Sequence, residues 1–133
     1  LLKQDNKLLD ELKKNIPLLI DLMNKQNLNE YIKLVVSFSF DANKYFNDSE
    51  PWALKKKDPQ RMETILYTTT QQIKNISILL NPIIPIATDK VLNIINIKKT
   101  ESMIDLINKD ISINHDKELK DLEILFKKIE NDS

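Results

Sequence analysis

The sequence predicts an all-α fold, a bundle of four or five helices. Three observations carry that prediction. Gly is absent from all 133 residues, which disfavours tight hairpins and favours helices. Apolar side chains recur at steps of three and four over long stretches, the period of a helix face. Proline and asparagine fall between those stretches, where they punctuate helices. The length suits one domain, and a 41% hydrophobic content is enough for a core.

The elements follow in order. Over residues 5–25, Leu8, Leu12, Ile16, Leu19 and Met23 form one stripe. Pro17 either kinks this helix or opens a new one after Asn15. The polar run 24–29 is a turn, and Asn27 with Glu30 three residues later fits a capping box. The next helix, residues 28–46, is apolar on several sides, which predicts a central position. Residues 47–58 break the pattern. Asn47, Asp48 and Ser49 favour a turn, and Pro51 discourages helix at Glu50. Asp58-Pro59 reads as a cap followed by proline at the first helical position. The helix it starts carries Met62, Leu66, Thr69, Ile73, Ile76 and Leu80 along one seam and ends at Asn81-Pro82. After a proline-stiffened corner, a further helix spans residues 86–96. Residues 97–116 are less patterned. Residues 119–129 form either a last helix or an extended tail.

Composition excludes several kinds of chemistry. With no Cys, there are no disulfides and no thiolate metal sites. With one histidine, His115, neither a histidine metal cluster nor a serine–histidine triad is built here. Without Gly there is no glycine-rich phosphate loop, so ATP binding within the chain is not expected. No apolar run is long enough to span a membrane, and no export leader is visible. The chain is expected to be cytoplasmic, without catalysis, cofactor or metal of its own. Net charge is zero, but residues 1–100 carry 15 basic and 11 acidic side chains and residues 101–133 carry 5 and 9. A strongly basic footprint is therefore missing, and DNA is not an expected partner.

Four blocks point to a family. DANKYF, residues 41–46, leads into EPWALKK, residues 50–56. ILLNPIIP follows at 78–85 and ILFKKIE at 124–130. In this order they resemble the C-terminal, anticodon-binding helical domain of bacterial methionyl-tRNA synthetases, with its "AN-x-Y", "PW-x-L-x-K", "ILL-x-P-x-x-P" and "LFPRIE". Lys127-Lys128 stands where the family has Pro-Arg. The resemblance implies a class I ligase that attaches methionine to tRNA(Met) using ATP and Mg. It also implies that residues 1–133 are a single anticodon-binding domain, cut from its catalytic domain and lacking its first helix. That helix carries an Asn and an Arg that read anticodon bases. The chain begins Leu1-Leu2 without Met, in keeping with a fragment. Its expected partners are the anticodon loop of tRNA(Met) and the parent's own catalytic domain. Two alternatives stand beside this one: the equivalent domain of a related class I synthetase, and a helical protein-interaction module with no RNA role.

Trp52 is the single tryptophan and sits in a polar, proline-marked segment. Aromatics mostly pack, so composition alone favours Trp52 as core. The resemblance reverses this, because in the family this Trp borders the anticodon, and an indole can stack on an unpaired base. Pro51 is expected to aim it. Lys55, Lys56 and Lys57 follow; in a Lys-rich chain they read first as solvated charges and second as contacts to stem phosphates. Lys44 and Arg61 are read the same way. Asn43 could meet a base edge, or fix the backbone nearby. Tyr45 could stack, or pack beneath Trp52. His115 reads as a surface histidine. The RNA-binding set is Trp52, Pro51, Asn43, Lys55 and Lys56.

Overall fold

The computed structural model describes residues 2–95, 97 and 102–108. Among them there is no strand. Five helices of nine residues or more and two short ones follow in order: α1 (Lys3–Lys14), α2 (Ile16–Asn24), α3 (Leu28–Ser49), α4 (Pro51–Leu54), α5 (Pro59–Leu80), α6 (Pro85–Ile94) and α7 (Met103–Asn108).

The punctuation acts where the residue chemistry requires. Pro17 does not kink one long helix. It occupies the second position of α2, where its missing N–H costs no helical bond, and Asn15 separates α1 from α2. Asn27 Oδ1 accepts from the Glu30 amide at 3.5 Å, so the first half of the expected box forms. Asp58 Oδ1 accepts from the Arg61 amide at 3.1 Å, and Pro59 is the first residue of α5. Two residues, Gln26 and Glu50, take positive φ angles of 56° and 46°. Both lie at helix ends, where a left-handed residue closes the last turn. In a chain without glycine, other side chains must accept that conformation.

α3 and α5 lie antiparallel. The Tyr31 hydroxyl, in the first turn of α3, donates to the Leu79 carbonyl near the end of α5 at 2.6 Å. Their packed faces supply Tyr31, Val35, Phe38, Ala42 and Phe46 on one side and Met62, Leu66, Ile73 and Ile76 on the other. Leu12 of α1, Leu19 of α2, Leu92 of α6 and Ile107 of α7 join the same core.

Two expectations need correcting. The central helix is α5, not α3. Every residue from Thr68 to Leu79 is buried, including Gln71, Gln72, Lys74 and Asn75. α3 buries one face only, and Phe40 remains 55% exposed. Second, Asn47, Asp48 and Ser49 form no turn but continue α3. The break comes at Glu50, which Pro51 bars from the helical region and which turns left-handed. The less patterned stretch of residues 97–116, to which the sequence assigned no element, holds α7. Its docking is marked by Lys74 Nζ, which donates to the buried Ile107 carbonyl at 2.9 Å. The expected elements at 119–129, and His115, lie outside the described residues.

Candidate nucleic-acid interface

The site is built on the connection between the two long helices. After Glu50 turns the chain, Pro51 starts the four-residue α4, and its fixed φ suits that position. The Ala53 amide donates to the Glu50 carbonyl at 3.0 Å and closes the turn. Pro51 is buried.

Trp52 projects from this short helix with 45% of its surface exposed. It sits in a helical turn, not in an irregular loop. Its ring meets the buried Phe46 edge-on, with centroids 5.8 Å apart and planes at 63°. The indole is therefore anchored to the core on one side and keeps exposed area elsewhere. Phe46, not Tyr45, is the residue against Trp52. The sequence placed the neighbouring aromatic there because the helical phase of α3's last turns is not readable to one residue.

Lys55, Lys56 and Lys57 follow α4 and are all exposed. Pro51, Trp52, Lys55 and Lys56 are thus brought together by chain connectivity. Asn43 is less close: it lies on α3, about 9 Å along the axis from Ser49. It is half-buried, and its Oδ1 accepts from Asn47 Nδ2 at 3.4 Å. Lys44 is exposed and pairs with Asp48 one turn on, and that carboxylate raises its pKa.

Arg61 is not a solvated cation. Its guanidinium grips Asp5 with two bonds, Nη1 to Oδ2 at 2.6 Å and Nη2 to Oδ1 at 2.9 Å. The Asp5 side chain has no exposed surface and that of Arg61 only 18%. The Tyr45 hydroxyl donates to Asp5 Oδ1, and the Leu2 amide donates to Oδ2 at 2.9 Å. Burial alone would raise the Asp5 carboxyl. The bonds from Arg61, Tyr45 and Leu2, with the Arg61 charge, outweigh it and hold the group below its ordinary range. Burial and the adjacent carboxylate push the Tyr45 phenol well up, so it stays protonated and donating. Sequence reasoning missed this network. Its members stand 40 and 56 residues apart, beyond any local spacing rule; the one available signal was a solitary Arg in a chain of lysines.

Beside the network, a cavity of roughly 330 Å³ opens between α1, α3, α4 and α5, lined in part by Gln4, Tyr45, Ser49, Leu54 and Arg61. Among the described residues no cluster of acidic and histidine side chains could hold a metal ion. Nor is any described helix long and apolar enough to cross a membrane.

Comparison with known proteins places this arrangement. The chain is 31% identical over 111 residues to a methionine–tRNA ligase of Rickettsia felis, covering 84% of this chain and 22% of that one. It is 37% identical over 73 residues to the methionine–tRNA ligase of Rhizobium meliloti, covering 55% of this chain and 14% of that one. The chain therefore spans about a fifth of the length of such relatives or less. The fold is similar to part of the apo crystal structure of Mycobacterium tuberculosis methionyl-tRNA synthetase, with a TM-score of 0.79, 20% identity and coverage of 86% of this chain and 24% of that one. A family model described as the anticodon binding domain of methionyl tRNA ligase matches residues 1–133. With four motif blocks, an all-helical bundle and full-length agreement with the family model, the chain belongs to the anticodon-binding domain family of methionyl-tRNA ligases.

Proposed function

We propose that residues 1–133 form one domain that recognises the anticodon loop of tRNA(Met) for a methionine–tRNA ligase, with Trp52 as the stacking platform. The observation that carries this reading is the placement of Trp52. A tryptophan that is half-exposed, braced edge-on against a buried ring and followed by three exposed lysines has the parts that single-stranded RNA recognition uses. The indole offers a π-face; Lys55 and Lys56 offer charge to phosphates, which positions the RNA without reading it. Pro51 fixes the platform, and Asn43 stands at the border of the site. Activation of methionine with ATP and Mg belongs to the remainder of the parent. Binding energy gained at the anticodon is used to select the correct tRNA before its acceptor end reacts. The alternatives, another class I synthetase or an interaction module without RNA, lack support from the family match.

Binding of the parent ligase to tRNA(Met), and to the same tRNA with its anticodon replaced, tests the proposal. The native anticodon is expected to bind more tightly, and Trp52→Ala is expected to narrow the gap. Equal binding of both tRNAs by the unmutated enzyme refutes it.

A further inference from the structure

Trp52 stands on a helix of one turn, which has little rigidity of its own. Its aim depends on the two ends that α4 joins. One is the last turns of α3; the other is the first turn of α5. The buried Asp5 holds both. Through the Tyr45 hydroxyl it grips α3 one residue before Phe46, the ring against which Trp52 rests. Through the Arg61 guanidinium it grips α5 at the third residue of the helix, whose amide is already bound by Asp58. The Leu2 amide ties the start of α1 to the same carboxylate. Three elements thus converge on one carboxylate with no exposed surface. Buried ion pairs contribute little net stability compared with apolar packing, but bidentate geometry is strict in distance and plane. The arrangement therefore suits a device that fixes angles.

We infer that Asp5 is a positioning residue for RNA recognition, setting the angle at which α4 presents Trp52 while touching no RNA itself. The inference rests on the reading of Trp52 given above. Asp5 acts through Arg61 and Tyr45, so both are engaged in the clamp, and Arg61 is not a phosphate contact.

The test uses the intact parent ligase with tRNA(Met), at a temperature where every variant is folded. Asp5→Asn is expected to raise KM for tRNA roughly five- to tenfold with less effect on kcat. Tyr45→Phe, which keeps both partners of the ion pair, shifts KM the same way by a smaller factor. The decisive measurement is the double variant Asp5→Asn/Trp52→Ala. Its loss should not exceed that of Trp52→Ala alone, because a removed platform cannot be misaligned further. If the two losses multiply, Asp5 does not act through Trp52 and the inference is overturned. It is overturned equally if Tyr45→Phe and a folded Asp5→Asn both keep the unmutated KM while Trp52→Ala raises it. An unchanged KM for Trp52→Ala alone refutes the RNA role of Trp52 itself, and leaves Asp5 nothing to position.

Discussion

At the scale of single residues, two side chains with similar promise in the sequence have opposite surroundings. Lys55 and Arg61 both read as cations near a tryptophan. The structure leaves Lys55 exposed after α4 and buries most of Arg61 against Asp5. Guanidinium geometry accounts for the second outcome, since its fork matches a carboxylate with two parallel bonds and a lysine does not. Removing one member of such a pair strands the other. Asp5→Ala should therefore destabilise the domain by about 2–3 kcal/mol, below the figure for a wholly buried pair because Arg61 keeps some contact with water. Urea denaturation read by circular dichroism checks this; a loss of less than about 0.5 kcal/mol contradicts it.

At the scale of elements, the main surprise is α5. Its seam residues were legible from their spacing, and so were its ends, because Asp58-Pro59 and Asn81-Pro82 are local signals. Its centrality was not. The run from Thr68 to Asn75 is rich in threonine, glutamine, lysine and asparagine, which resembles a solvated face. It is buried because α1, α3, α4, α6 and α7 all pack on this helix, and that is a property of the assembled bundle. α3 shows the converse: more apolar than α5, yet it leaves Phe40 outside. The candidate site was legible in part. Pro51 and Trp52 were marked by local chemistry and family motif, whereas the Asp5 clamp joins residues that only the fold brings together. Burial of α5 has a cost. Among the described residues, neither polar atom of the Asn75 amide finds a hydrogen-bond partner. Replacing such a group by an apolar one of similar shape removes its desolvation penalty. Asn75→Leu is thus expected to raise stability by about 1 kcal/mol, seen as a higher urea midpoint at unchanged m-value. A fall of that size would show that the amide is satisfied.

At the scale of the whole molecule, charge and pH set the conditions for recognition. With 20 basic and 20 acidic residues the chain has no net charge, so the proposed RNA contact would draw its electrostatic share from local cations and little from long-range attraction. Replacing Lys55 and Lys56 together by Gln should weaken tRNA binding at low salt and lower the log–log salt slope by about one to two. An unchanged slope means that neither lysine meets a phosphate. Asp5 also gives the domain an acid limit. Its folded-state pKa lies below the ordinary 3.8. The stabilisation is therefore complete above the unfolded-state value and is lost as pH falls through the folded one. Thermal melts from pH 7 down to pH 2 should show a steeper acid limb for the unmutated domain than for Asp5→Asn. Parallel curves would exclude this carboxylate as the source.

Recognition through Trp52 is the claim on which the other functional statements depend. Its most direct test is the kcat/KM of the parent ligase for tRNA(Met) after Trp52→Ala, with the melting temperature of the same preparation. Loss of one stacked base amounts to about 1–3 kcal/mol, or roughly five- to 150-fold. A fall in that range, with a melting temperature lowered by no more than about two degrees, is the predicted result. An unchanged kcat/KM, or one that falls only in step with a large drop in melting temperature, would show that Trp52 serves the core and not the RNA.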